Sequence, residues 1–189
     1  MIQVGVIVGS TRPGRKAETV ARWVVELARQ RGDAEIELVD LADYELPLLD
    51  EPSPPSIGPY AKEHTKRWAA TIDRLDAFVF VTPEYNHGPS GALKNAIDFL
   101  YKEWNNKAAS FISYGGAGGV RAVEQLRLVM AEVQIADVRA QVGLSLFHDF
   151  ERFTTFKPAP SHETAVQNMF DQLVAWGTAL RALRKTARP

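Results

Sequence analysis

Apolar and polar positions follow two periods along this chain, and the switching between them marks out strands and helices in turn. Short runs rich in β-branched and aromatic residues predict strands at Ile2–Val8, Glu35–Asp40, Ala77–Thr82, Ala108–Ser113 and Val138–Leu144. Apolar residues at helical spacing predict helices at Lys16–Arg31, Ala61–Arg74, Ser90–Leu100, Val120–Val133 and Glu163–Arg184. In the first helix Val20, Trp23, Val24, Leu27 and Ala28 form an apolar stripe, and in the last Val166, Phe170, Leu173, Val174, Gly177 and Leu180 do the same. Such stripes face a core. Phe78 to Val81 is apolar at every position, as in a strand covered on both faces. Alternating strands and helices therefore predict an α/β, three-layer fold with a parallel sheet and right-handed crossovers. Five strands suit the flavodoxin-like order 2-1-3-4-5.

Two stretches interrupt the pattern. Glu51–Pro59 holds four prolines and predicts a stiff surface loop. Ser145–Pro160 has few helix or strand cues, yet it carries Phe147, Phe150, Phe153 and Phe156. A loop of that length belongs to a lid, an interface or a disordered segment, and four phenylalanines argue against disorder.

Length and composition narrow the class. The chain has 189 residues, enough for one domain spanning 1–189, with 46% hydrophobic and 24% charged residues. A net charge of -1 argues against a general nucleic-acid surface. No apolar run reaches the roughly 20 residues of a membrane helix. The N-terminal segment has no basic region and reads as a strand, so a cytoplasmic location is expected. Without cysteine there is no thiolate chemistry, and any redox chemistry requires a bound cofactor.

Three strand ends carry the candidate chemistry, since ligands of open α/β sheets bind beyond the carboxyl ends of the strands. After strand one comes Gly9-Ser-Thr-Arg-Pro-Gly-Arg-Lys16. Ser10 and Thr11 add hydroxyls to a helix start, which binds anions. Arg12, Arg15 and Lys16 crowd the positive end of the helix dipole, an arrangement that calls for an anion such as a phosphate monoester. Side chains extended into water are the plain alternative. The loop has neither the dinucleotide nor the P-loop glycines. Asp40 ends strand two, where it would hold a ribose or cap a turn. After strand three, Thr82-Pro-Glu-Tyr-Asn-His-Gly-Pro89 is a polar loop, and Ser90 occupies an N-cap position. After strand four, Tyr114-Gly-Gly-Ala-Gly-Gly119 is stripped of side chains, as a loop approached closely by a ligand would be. A phosphate site, a polar loop and a glycine-lined slot on one sheet edge suit a phosphorylated planar heterocycle such as FMN. The four histidines are scattered, with no catalytic-triad spacing and no metal cluster.

At Gly9-Ser-Thr-Arg12, Thr82-Pro-Glu-Tyr-Asn86, Gly91-Ala-Leu-Lys-Asn-Ala-Ile-Asp98 and Ser113-Tyr-Gly-Gly116 the chain resembles the NADPH-dependent FMN reductase family. These are flavodoxin-like flavoproteins that include quinone, azo and chromate reductases. The resemblance implies that Ser10 and Arg12 hold the FMN phosphate. Many members have Ser and Asn further along this loop; Arg15 and Ala17 stand there here, which makes Arg15 and Lys16 the replacements. It further implies that Pro83, Glu84, Tyr85 and Asn86 line the isoalloxazine, largely through backbone groups, and that Ser113, Tyr114, Gly115 and Gly116 border its other side.

The expected activity is that of an FMN-dependent oxidoreductase. NADPH or NADH delivers a hydride, and a quinone or similar acceptor (flavin, azo compound, chromate) receives it in a ping-pong cycle. Amides of Glu84–Asn86 would stabilise the reduced cofactor, and no side chain is assigned as catalytic acid or base. A flavodoxin-type electron carrier or a flavin-binding redox sensor are the alternatives. A homodimer or homotetramer is expected, with the Ser90–Leu100 stripe, Tyr101, Trp104 and the phenylalanine loop at the interface.

Overall fold

The computed structural model describes residues 1–186, so the last three residues of the domain expected over 1–189 lie outside it. In chain order the elements are β1 (Ile2–Val8), α1 (Ala17–Arg29), β2 (Ala34–Asp40), a 3-10 turn (Leu41–Tyr44), α2 (Glu63–Asp73), β3 (Ala77–Pro83), α3 (Gly91–Asp98), β4 (Lys107–Gly115), α4 (Val120–Glu132), β5 (Ile135–Ser145), β6 (Phe150–Glu151), β7 (Thr155–Phe156) and α5 (Ser161–Thr186). β1 to β5 form one parallel sheet in the order β2-β1-β3-β4-β5, as the pattern predicts. The strand order reverses between β1 and β3, which opens a crevice there.

Alternation along each strand separates two cores. Val4, Val6, Val8, Val79, Val81 and Ile112 face α1 and α5, where the predicted stripes of both helices pack. Ile7, Phe78, Phe80 and Phe111 face α2, α3 and α4. The second core is crowded with rings: Trp104 lies 5.0 Å from Phe78 and 6.0 Å from Trp68, edge-on to both. Burying each such side chain contributes roughly 1.5–3 kcal/mol. Both indoles are satisfied, Trp68 Nε1 donating to Ala96 O at 2.8 Å and Trp104 Nε1 to Ile97 O at 3.1 Å.

Three expectations change. β5 starts at Ile135, three residues before the predicted Val138, because Ile135, Ala136 and Asp137 pair with Lys107, Ala108 and Ala109 before the register shifts between Ala109 and Phe111. Ser110 Oγ bridges that irregularity by donating to Ala140 O at 2.9 Å. Secondly, the α3 stripe and Trp104 do not face outward for a partner: Leu93, Ala96, Ile97, Leu100 and Trp104 are all buried in this chain's own core. Thirdly, Ser145–Pro160, expected to be ordered but with few strand cues, contains a short hairpin. Its β6–β7 hairpin is antiparallel, with Phe150 paired to Phe156. Phe150 and Phe156 turn inward, their centroids 5.1 Å apart, and Phe156 meets Trp23 of α1 at 5.4 Å. Among the described residues no helix is long and apolar enough to cross a membrane.

Candidate functional site

The carboxyl ends of β1, β3 and β4 are locked together before any side chain enters the argument. Gly9 N–H donates to Val81 O at 2.8 Å, which draws the loop after β1 against β3. Ser90 is the expected N-cap of α3: its Oγ accepts from Leu93 N at 3.1 Å and donates to Gly9 O. β4 extends to Gly115 by pairing Ser113, Tyr114 and Gly115 with Gly143, Leu144 and Ser145.

Above these ends lies a cleft of about 190 Å³. Arg12, Arg15, Lys16, Pro83, Glu84, Tyr85, Tyr114, Gly115 and Gly116 line it, and so do Leu146 and Phe153. Three strand-end loops thus converge on one space. Ser10, Asn86 and Ser113 stand behind or beside its wall. Ser10 is buried, with its Oγ 3.2 Å from Tyr85 Oη. Ser113 turns away and donates to Gly118 O at 2.7 Å. Asn86 is exposed at a tight turn with His87, both at positive φ (49° and 74°), closed by Gly88 N–H donating to Tyr85 O at 3.1 Å.

The three cations are not equivalent. Arg15 Nη2 pairs with Asp40 at 2.5 Å and lies 3.5 Å from Glu18. Asp40 also caps the following turn, its Oδ1 accepting from Ala42 N at 3.0 Å. The sequence reading of three uncompensated charges is therefore corrected to two. Among the described residues Arg12 and Lys16 have no carboxylate partner; they lie over the rings of Tyr85 (6.0 Å) and Phe150 (5.9 Å).

Tyr114 also changes role. Its ring is buried against Phe150 at 6.1 Å, so it offers no open face to the cleft. Burial first, and the neighbouring Tyr85 second, push its hydroxyl pKa up, against the opposing pull of the Ala17 amide, Arg12 and Arg15. Among the described residues that hydroxyl has no well-formed hydrogen bond, the Ala17 amide exerting only its pull on it, and Arg15 Nε has no partner. Both are buried, and a buried unsatisfied polar group costs about 1–3 kcal/mol. Two such atoms beside two unpaired cations fit an acidic, hydrogen-bonding ligand such as a phosphate.

The backbone narrows the other wall. Glu84 N–H donates to Tyr114 O at 3.0 Å and Tyr85 N–H to Gly88 O at 2.9 Å. Of the three amides expected to face a ligand, two are thus consumed internally; Asn86 N–H has no acceptor among the described residues. The glycine loop likewise serves mainly itself. A Cβ at Gly119 (φ 73°) would stand 2.7 Å from Ser113 Cβ. Gly116 is different: it is exposed on the cleft, and a Cβ there meets only the Phe147 ring, at 3.6 Å.

Two contributors, Leu146 and Arg121, escaped the sequence. Leu146 was not singled out in the sequence, whereas Phe153 comes from the aromatic segment Phe147–Phe156 that was expected to roof the slot; both line the cleft. Arg121, at the start of α4, ion-pairs with Glu84, and its N–H donates to Glu84 Oε2 at 3.2 Å. The run of phenylalanines was the signal for Phe153; Leu146 had none. A second hollow, of about 280 Å³ between Thr11, Leu41, Glu45 and α3, has no cation in its wall and carries the Glu45 carboxylate. No cluster of metal-ligating side chains is found among the described residues.

Comparison with known proteins agrees with this architecture. The family model described as NADPH-dependent FMN reductase matches residues 2–149. An NAD(P)H-dependent FMN reductase of Schizosaccharomyces pombe is 42% identical over 146 residues, covering 76% of this chain and 73% of its own length. A quinone reductase of Pseudomonas putida is 33% identical over 192 residues, covering 95% of this chain and 97% of its own length. In structure, the flavoenzyme NAD(P)H:(acceptor) oxidoreductase FerB of Paracoccus denitrificans superposes with a TM-score of 0.74 at 23% identity, over 95% of this chain and 98% of that one. That likeness establishes the flavodoxin-like fold. The 2-1-3-4-5 sheet and the family match over most of the chain agree: it belongs to the NADPH-dependent FMN reductase family of oxidoreductases.

Proposed function

We propose that this chain is an FMN-dependent NAD(P)H oxidoreductase that reduces quinones or similar acceptors (flavins, azo compounds, chromate). One observation carries the assignment of the cleft: two unpaired cations, Arg12 and Lys16, share it with two orphaned buried polar atoms, Tyr114 Oη and Arg15 Nε. These are the groups a bound FMN phosphate would satisfy. Relatives named as FMN and quinone reductases support the same assignment.

In this assignment Arg12, Lys16 and the Tyr114 hydroxyl hold the phosphate, Ser10 steadies Tyr85, and Arg15 is a partly neutralised contributor. Pro83, Glu84, Tyr85, Asn86, Gly115 and Gly116 border the ring, with Ser113 shaping the loop from behind. When bound, FMN supplies hydride acceptance from NADPH or NADH and onward two-electron reduction of the acceptor. The chain orients the reactants and excludes water. Asn86 N–H is the donor left to the ring side, and Glu84 is held in place by Arg121 rather than free to move a proton. One small cleft receives donor and acceptor in turn, which implies ping-pong kinetics. We further propose a cytoplasmic homodimer or homotetramer. With α3 spent on the core, the surface offering apolar contact beside it is Leu48 and Leu49, both exposed.

A visible spectrum of the purified protein, FMN titration and initial rates with NADPH and benzoquinone both varied test this reading. A yellow protein and parallel double-reciprocal lines are expected. A colourless protein that takes up no FMN rejects it, and intersecting lines reject the shared cleft. Sedimentation at micromolar concentration should give a dimer or tetramer mass.

A further inference from the structure

We propose that Phe153, backed by Phe147, is a specificity-determining wall that favours flat aromatic electron acceptors by stacking; this rests on the assignment of the cleft as the flavin site. Phe153 lies at the turn of the β6–β7 hairpin, beyond residue 149 where the family match ends, and Phe147 stands just inside that limit.

The hairpin is anchored, so its rings are presented and not merely loose. Asp149 is 3% exposed and sits at the centre of the segment. Its carboxylate accepts from Ser145 N at 2.7 Å and Ala159 N at 3.2 Å, and lies 3.0 Å from His162 Nε2. Lys157 N–H donates to Asp149 O at 2.8 Å, which closes the loop. Four phenylalanines then divide by face. Phe150 and Phe156 pack inward toward Tyr114 and Trp23. Phe147 and Phe153 remain outside, 63% and 53% exposed, edge-to-face with centroids 5.4 Å apart.

Two features set this outer pair apart from incidental surface. Phe153 lines the cleft with Leu146 and Gly116, while Phe147 lies against Gly116. Phe153 and its neighbour Arg152 also sit at the hairpin tip with φ of 59° and 51°. Glycine occupies such positions without steric cost and asparagine at a small one, whereas a bulky aromatic is strained there. A phenylalanine held there, half in water and beside the cleft, places an apolar ring where a planar ligand would cover it. Aromatic pairs attract beyond simple area burial. A quinone-class ring gains from that wall, and a compact inorganic anion gains nothing. Phe153 makes no bond and moves no electron.

The test uses the holoprotein with Phe153→Ala, Phe153→Asn (which keeps a residue at ease with positive φ) and Phe153→Trp. Calorimetric titration of the oxidised protein with 1,4-naphthoquinone, without nicotinamide, reads binding directly. From the strength of aromatic pairing, Kd should rise about 3- to 10-fold in the Ala and Asn variants and stay within about twofold in Trp. The ratio of kcat/KM for naphthoquinone to that for ferricyanide, corrected for flavin content, should fall by the same factor and recover in Trp. Unchanged naphthoquinone binding, an equal loss with both acceptors, or a Trp variant as weak as Ala overturns the wall. A wild type that takes up no FMN overturns the flavin site itself, whereas a yellow wild type with silent variants removes the wall alone.

Discussion

Tyr85 Oη lies 3.2 Å from Ser10 Oγ, a hydrogen bond across 75 residues that ties the loop after β3 to the loop after β1. Ser10 Oγ in turn lies 3.4 Å from Arg12 N, and the Arg12 guanidinium lies over the Tyr85 ring at 6.0 Å. One tyrosine thus orients both the anion loop and the polar loop. Tyr85→Phe keeps the ring and removes the tie. A neutral hydrogen bond of this kind contributes about 0.5–1.5 kcal/mol, so FMN affinity by fluorescence titration should fall roughly 3- to 10-fold with the fold intact. Unchanged affinity would make the contact incidental.

Arg12 and Arg15 should separate. Arg12→Ala removes an exposed, unpaired cation; losing a charge-assisted bond of about 1.5–3 kcal/mol should weaken FMN roughly 10- to 100-fold with little change in melting temperature. Arg15→Met instead strands Asp40, which pairs with Arg15 Nη2 at 2.5 Å. Its signature should be lower thermal stability together with a smaller loss of FMN affinity. Equal behaviour of the two variants in both measurements would contradict the assignment.

Ser90→Ala deletes both the cap of α3 and the donor to Gly9 O. Loss of an N-cap costs about 0.5–2 kcal/mol, and a buried carbonyl left unpaired adds to it. Denaturant unfolding should show a loss of about 2–3 kcal/mol with an unchanged m-value. Because the same bond seats the anion loop, FMN affinity should fall as well.

Lys107 provides a pH signature. It is buried, its Nζ donating to Ile72 O at 2.6 Å and Asp73 O at 2.9 Å at the end of α2. Desolvation first, and Arg184 second, push its pKa down to about 7 from 10.5. Between those values the unfolded chain holds a proton that the native state has released, so stability rises with pH through that window. Below about pH 7 both states are protonated and this dependence vanishes. Lys107→Met should flatten the rise of unfolding free energy between about pH 7 and 10.5, and should cost about 1–3 kcal/mol where the two carbonyls lose their donor. A wild-type stability flat across that window would contradict it.

Much of this protein was legible in its sequence because the information is local. Strand and helix periods, Ser90 ahead of an apolar repeat and Pro83 at a strand end are set by neighbours a few residues away. The 2-1-3-4-5 order followed from alternation, and the carboxyl-end rule named three loops, nine of whose twelve candidate residues meet in one cleft. What the tertiary structure alone decided is which of those groups remain free. Asp40, 25 residues away, neutralises Arg15. Tyr114 O and Gly88 O absorb the amides of Glu84 and Tyr85. Trp104 fills the core, and Phe153 swings onto the cleft from a hairpin that Asp149 holds. Local spacing reports the shape of a segment, but whether a charge, an amide or a ring is satisfied depends on atoms within about 3–6 Å in space, wherever they lie in the chain.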